Sequence, residues 1–578
     1  RTHLMPEKDA EQRALARSIL SPERNGTLSA EQMLKAWQKI KRNVRSLHER
    51  IFFRPLLAAV STLSRDEVVL SEQAAQDRLA ALGYRDPRGA MRHIKALTTG
   101  LSRSADIQRH LMPVLLGWFA RGVDADAGLL GFRIVSESLG STSWYLRMLR
   151  DSPAAAERLS QLLSSSRPMT DLLEDASASI AWLDKVADLK PLGEEALASE
   201  ISSLLARHAD AAEAMRAVRY LRRRETLRTA MGWTLGIVDI EDTCAGLAAI
   251  DECTIGAALQ IALRELQAAP EGAEPAEAEA VAGEKLLTRI AVIGMGRLGG
   301  AENGFGSDAD VMFVHEPLDG ADEDTAQEQA ARIVNRTLTL LKQPVKPAIR
   351  AERPLEVDAD LRPEGKQGAI VRSLDSYRSY YERWAETWEF QALTRARPIA
   401  GDEALGEAFV ELIDPYRYPA NFAPEQVQQI RRMKARVENE RMPHGADRTR
   451  QLKLGRGGLS DVEWLVQLVQ LRHAHAVPGL RTTSTLKALN AAVEAGLVEA
   501  ADAEILSGAW LLATKIRGGN VLRGVRQSDT LPSGRADLEA IARWCGYPAG
   551  SARALEEDYL RQTRNARKVY ERLFFEEL

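Results

Sequence analysis

A chain of 578 residues is too long for one hydrophobic core and is expected to divide into about three or four domains. Its apolar fraction of 45% and charged fraction of 27% are those of ordinary globular proteins, which excludes a disordered or fibrous class. A formal net charge of −4 gives no broad basic field, so no nucleic-acid partner is expected. No apolar run of bilayer-spanning length and no signal-like start is visible, so no membrane partner is expected and the cytoplasm is the expected compartment. Cys244, Cys253 and Cys545 have no metal-ligand spacing and read as reduced, inert thiols.

From Glu11 to about Gln267 apolar residues recur at helical spacing, as in His110 to Leu116 and Ala214 to Leu221. Pro153 and Pro168, each just after a capping serine or its neighbour, mark helix starts. Arg222-Arg223-Arg224 reads as a solvated helix face. The stretch from Ala268 to Glu284, rich in Ala, Glu and Pro, has few residues able to bury area and reads as a flexible insert.

The pattern then changes. Leu286–Ile293 and Val311–Val314 are short apolar runs bounded by glycine or charge, and predict buried strands. A third strand is predicted over Leu355–Leu361, with a helix from about Asp324 to Lys342 before it. After Asp402 helical periodicity returns, including Val462 to His473 and Thr485 to Ala495. The expected fold is mainly α with an inserted α+β domain. The expected divisions are 1–60 (linker helices), 61–270 (helical), 271–284 (insert), 285–402 (mixed sheet) and 403–578 (C-terminal helical bundle).

Arg42 to Leu56 resembles Arg564 to Leu578 without gaps. This repeat suggests that residues 1 to about 56 are the tail of an upstream unit homologous to the rest, in a two-unit protein.

Gly294-Met295-Gly296-Arg297-Leu298-Gly299 follows a strand and satisfies the dinucleotide-binding fingerprint, with Glu316 about 20 residues on. A Rossmann unit needs a full helix directly after this turn. Gly299, Gly300, Gly304 and Gly306 fall where that helix would run, each costing about 1 kcal/mol relative to alanine, so no long helix is expected. What remains is a glycine turn followed by Ser307-Asp308-Ala309-Asp310 opening a strand. In an extended segment residues i and i+2 share a face, so Asp308 and Asp310 converge while Ala309 points away.

Two convergent carboxylates suit Mg²⁺, which is usually held by one or two carboxylates together with substrate phosphates. Asp358 on the third strand is the candidate for the remaining carboxylate, as metal ligand and proton acceptor, and Asp360 is a weaker alternative. Backbone N–H groups around Gly294, Gly296, Gly299 and Gly306, with Ser307 and Arg297, would cradle phosphates, and Arg362 and Lys366 would add charge against pyrophosphate. The glycine-rich turn Lys453 to Glu463 either binds an anion or caps a helix. Trp384, Trp388 and Phe390 read as core packing, and Arg395 and Arg397 either reach the site or form ion pairs.

These residues resemble the glutamine synthetase adenylyltransferases, whose catalytic domains are of the DNA polymerase β-like nucleotidyltransferase type. The resemblance rests on Gly294 to Gly300 with Gly306 to Asp310, on Val357-Asp358-Ala359-Asp360-Leu361-Arg362-Pro363, on Thr387 to Pro398 and on Lys453 to Glu463. In that family the metal pair aligns with Asp308 and Asp310, and the third acid with Asp358. Arg297 is often lysine there. The resemblance implies Mg²⁺, ATP as co-substrate, a tyrosine hydroxyl of glutamine synthetase as acceptor, and control by a PII-type signal protein and glutamine. Family members join an AMP-removing half to an AMP-adding half. With one Gly-Ser-Asp-x-Asp, this sequence reads as the adding half. The alternatives are phosphorolytic AMP removal, another polymerase β-like transfer, or a non-catalytic scaffold.

Overall fold

A computed structural model describes residues 6, 8–21, 26–27, 29–48, 72–100, 102–139, 142–268, 284–349, 352–525 and 529–577. Nearly all of the predicted insert, and residues 49–56 of the internal repeat, lie outside these described residues. The chain forms two compact units, Arg1–Ser160 and Gln161–Leu578.

The first unit is helical. Helices Glu72–Leu82, Pro87–Thr98, Arg103–Arg121 and Ala125–Leu139 bury Leu79, Ile94, Leu115, Phe119 and Phe132 at helical spacing.

The second unit holds a small mixed sheet with long helices before and after it in sequence. Helices α1 (Ala211–Thr234) and α2 (Ile240–Gln267) begin at Asp210 and Asp239, whose carboxylates accept the Glu213 and Asp242 N–H groups, both at 2.8 Å. By length and composition α2 could cross a bilayer, contrary to the sequence reading, but 72% of its most apolar stretch is buried inside the protein. It is a core helix: Ile255, Ala258, Leu259 and Ile261 pack with Ile290, Val292 and Phe313 of the sheet.

The Arg222–Arg224 run on α1 is not a solvated face. Arg222 pairs with Asp251 at 2.8 Å, Arg223 with Asp175 at 2.7 Å, and Arg224 with Glu200 and Glu225 at 2.7 Å each. Charge runs look alike in sequence whether they meet water or carboxylates brought in from other helices.

Strand β1 (Thr288–Gly294) pairs antiparallel with β2 (Ala309–Pro317), Thr288 facing Pro317 and Gly294 facing Val311. Between them the backbone makes only the four-residue turn of helix α3 (Gly296–Gly299), as the glycines dictate. Helix α4 (Glu323–Lys342) then returns the chain, capped by Asp322, so that β3 (Val357–Asp358) and β4 (Arg372–Ser373) run parallel to β2. Strand β5 (Arg397–Gly401) completes the sheet on the other side of β1.

Side chains alternate across the sheet. Ile290, Val292, Ala309, Val311 and Phe313 join one core; Ala291, Ile293, Met312 and Val314 join the other, with Tyr377 and Phe409. The third strand is shorter than expected because Asp358 Oδ1 accepts the Asp360 N–H at 2.7 Å, turning the chain out of the ladder.

The C-terminal helices α5 (Pro424–Glu440), α6 (Leu459–His473), α7 (Ala500–Arg523) and α8 (Ala552–Glu571) enclose a core that includes Ile430, Leu465, Ile516 and Leu555. Charges are buried inside it. Lys434 Nζ lies 2.7 Å from Asp461 Oδ1, Arg567 Nη1 lies 2.9 Å from Asp461 Oδ2, and Gly457 N–H donates to the same carboxylate at 2.7 Å. Asp461→Ala leaves the Lys434 ammonium buried without its main counter-charge, so stability is expected to fall by about 3–5 kcal/mol, read from urea unfolding of the second unit.

Candidate active site

Ala309 is fully buried and pairs with Val357, and this register sets Asp310 directly beside Asp358 across the parallel β2–β3 pair. Asp308 precedes the strand on the same side. One carboxylate oxygen from each of Asp308, Asp310 and Asp358 lies within 4.8 Å of the others. Asp308 is exposed, and the other two are half-buried.

Burial, reinforced by the charges of Asp308 and Asp358, raises the Asp310 carboxyl to about 7, and nearby Lys453 opposes that rise. The donor set is all hard oxygen, crowded and short of positive charge. That is the chemistry of a divalent-cation site, and the three residues fit one.

The glycine turn is built against this cluster. Gly296 has φ +51°, and a Cβ there would collide with the Asp310 carboxylate. Met295 N–H donates to the Asp310 carbonyl at 2.8 Å, and Gly299 N–H to the Met295 carbonyl at 2.8 Å, which fixes the turn under Asp310. A Cβ on Gly299 would strike the Arg395 carbonyl. Gly294 ends β1 at the start of this turn.

The other expected phosphate ligands are placed differently. Gly296 borders a cavity of about 530 Å³ lined also by Trp388, Gln391, Arg395, Lys453 and Glu463. Gly306 and Ser307 line a second cavity of similar size, with Arg353 and Glu356. The Ser307 hydroxyl accepts the Gly304 N–H at 3.1 Å and closes the turn. Arg297 does not face the carboxylates. Its Nε lies 3.5 Å from Glu463 and its guanidinium lies over the Trp510 ring. Burial pushes Glu463 up, but Arg297, Arg395 and Lys453 hold it below the usual carboxylate range.

Arg362 donates to the Ala359 carbonyl at 2.8 Å and the Gly368 carbonyl at 3.1 Å, bracing its own loop. Lys366 is exposed and 3.3 Å from Asp360, which therefore faces cations rather than the acidic cluster.

Arg395 and Arg397 are ion-paired inside the protein. Arg395 binds Glu302 at 2.8 Å, Thr485 Oγ1 at 2.6 Å and the Thr483 carbonyl; Arg397 binds Glu252 and, at 3.1 Å, the Gly299 carbonyl. Of the three aromatics, Phe390 stacks on Tyr416, Trp388 lines the first cavity, and Trp384 is 73% exposed rather than in a core. The thiols are free; burial raises Cys244 and Cys545 to about 12 and Cys253 to about 11, which leaves them unreactive.

Sequence reasoning did not single out Lys453 as a site residue. Its signal was a glycine-rich basic segment, which helix capping explains equally well.

Comparison with known proteins adds a family context. Residues 156–412 match the family described as glutamate-ammonia ligase adenylyltransferase, and residues 431–574 match that described as GlnD PII-uridylyltransferase. Proteins named bifunctional glutamine synthetase adenylyltransferase/adenylyl-removing enzyme are similar over the whole chain. Those of Leifsonia xyli subsp. xyli and Streptomyces avermitilis are each 48% identical over 100% of the chain, covering 55% and 57% of their own lengths. That of Mycobacterium avium is 42% identical over 99% of the chain and 57% of its own length. The chain thus spans little more than half the length of these relatives.

The fit between Gly296 and Asp310 gives a direct test. Gly296→Ala is expected to weaken Mn²⁺ binding at least about tenfold, because the added carbon displaces a ligand carboxylate and strains a positive φ. Gly304→Ala, whose Cβ would meet only Ser307 Oγ at 3.5 Å, serves as the control and should bind Mn²⁺ like the unaltered chain in a calorimetric titration.

Proposed function

We propose, from a chain related over its full length to the bifunctional glutamine synthetase adenylyltransferase/adenylyl-removing enzymes, that this protein transfers AMP from ATP to a tyrosine hydroxyl of glutamine synthetase. The observation that carries the proposal is the gathering of Asp308, Asp310 and Asp358 within 4.8 Å beside a glycine turn. Five strands in a mixed sheet, with Asp310 on β2, Asp358 on β3 and Asp308 just before β2, support a polymerase β-like nucleotidyltransferase domain.

Asp308, Asp310 and Asp358 would hold Mg²⁺. Bound there, the metal supplies Lewis-acid stabilisation of the phosphoryl oxygens. The glycine turn from Gly294 to Gly299 offers backbone N–H groups to the phosphates. The tyrosine oxygen bonds to the α-phosphorus of ATP as the bond to the β-phosphate bridging oxygen breaks, and pyrophosphate leaves. Asp358 Oδ1 is committed to the Asp360 N–H, so its Oδ2 takes the hydroxyl proton. AMP stays on the target, where nitrogen status would set the extent of modification.

The match of residues 431–574 to the PII-uridylyltransferase family supports a PII-type regulator as a further partner; glutamine as effector is what the family resemblance implies. The names of the relatives also favour a second reading, phosphorolytic AMP removal by the same carboxylates.

Asp308→Asn and Asp310→Asn are each expected to reduce transfer of labelled AMP to purified glutamine synthetase at least about a thousandfold, as several kcal/mol of charge stabilisation is removed. The unfolding temperature should change little. Full turnover in both variants would refute the assignment. ADP formed from adenylylated glutamine synthetase and phosphate would establish the removing reaction instead.

A further inference from the structure

The segment Lys453–Glu463 lies outside the sheet yet supplies part of the wall of the cavity that Gly296 borders. Its path is fixed by the backbone. Lys453 and Leu454 N–H groups donate to Gln451 Oε1 at 2.9 and 3.2 Å, and the Lys453 carbonyl accepts the Ser460 N–H at 3.0 Å. Gly457, at φ +71°, packs so closely on the Thr563 carbonyl that no Cβ fits, and Asp461 receives its N–H. A turn this constrained is more than a helix cap needs.

The Lys453 side chain stands apart from this network. It is exposed, and among the described residues no carboxylate lies within ion-pairing distance of its ammonium. Its charge is nevertheless felt by two carboxyls, Asp310 on the sheet and Glu463 on α6. Arg395 on the same cavity is already bound to Glu302, Thr483 and Thr485, and Arg297 is turned to Glu463 and Trp510. An uncommitted ammonium beside a divalent-cation site, in a cavity of about 530 Å³, matches the charge and size of a nucleoside triphosphate.

We propose that Lys453 binds the triphosphate of the nucleotide in this cavity, so that the site is completed by a cation from the C-terminal helical bundle. The inference rests on the nucleotidyltransferase reading. Lysine suits the role as a compact charge on a flexible stem, able to follow phosphate oxygens as they move.

Titration of the full chain with ATP and, separately, with adenosine, in Mg²⁺, tests it. Lys453→Met is expected to weaken ATP at least about tenfold while adenosine stays within about twofold, and Lys453→Arg should restore most of the ATP affinity. ATP binding by Lys453→Met within twofold of the unaltered chain overturns the proposal, as does an equal loss for ATP and adenosine. AMP transfer by the unaltered chain is measured alongside. ATP binding without transfer defeats the activity reading and leaves the lysine contact standing; no ATP binding at all defeats both.

Discussion

Carboxylate oxygens of three aspartates held within 4.8 Å of one another repel, and the rest of the second unit is arranged so that they cannot move apart, leaving a proton on Asp310 or a bound cation to relieve the repulsion. Asp310 and Asp358 are fixed by a two-residue parallel pairing that would be weak alone. It is held because β2 pairs along seven residues with β1, and both strands are packed on two faces by buried aliphatic side chains. Gly296 is pressed against Asp310 from below. Hydrophobic burial elsewhere thus offsets local electrostatic cost, and the stored cost is what a cation would relieve.

The glycine turn and the helical bundle are tied by charge rather than by apolar packing alone. Glu302, just after the turn, binds Arg395 and the Thr485 N–H at the start of helix Thr485–Glu494. Arg397 holds the Gly299 carbonyl, and Arg297 reaches Glu463 on α6. Buried ion pairs contribute little net stability once desolvation is counted, but they demand one geometry. In a site that joins a sheet edge to a helical wall, one geometry is what the chemistry requires.

How far the sequence reveals this depends on whether a feature is local. Short apolar runs bounded by glycine or charge located β1 and β2, and the excess of glycine from Gly299 on excluded a Rossmann helix, since both follow from neighbouring residues. The closeness of Asp308, Asp310 and Asp358 required only strand periodicity plus one long-range guess. The length of β3 was not legible, because Asp358 turns its own chain through a side-chain hydrogen bond that competes with the ladder. The Arg222–Arg224 run, Arg297 and Lys453 were misread or left open for a shared reason. A cationic side chain carries no sequence mark of whether it meets water, a carboxylate from a distant helix, or open space beside a reacting group. Only the fold assigns its counter-charge.

On the proposed nucleotidyltransferase reading, transfer of a nucleotidyl group to a hydroxyl and its phosphorolytic return to phosphate pass over closely similar transition states, so the acidic cluster alone would not choose between them. Whatever sets the direction must act on what enters beside the cluster: a triphosphate with a free hydroxyl, or inorganic phosphate with a modified side chain. Those two sets differ most in where negative charge sits away from the reacting phosphorus. The groups able to sense that difference would be the cations on the walls of the neighbouring cavity that Gly296 borders, not the three carboxylates themselves. Arg395 is already neutralised by Glu302, whereas Arg441 and Lys453 line the same cavity as exposed cations. Lys453, on a rigid turn of the helical bundle and lacking such a partner among the described residues, is therefore placed where charge selection would occur.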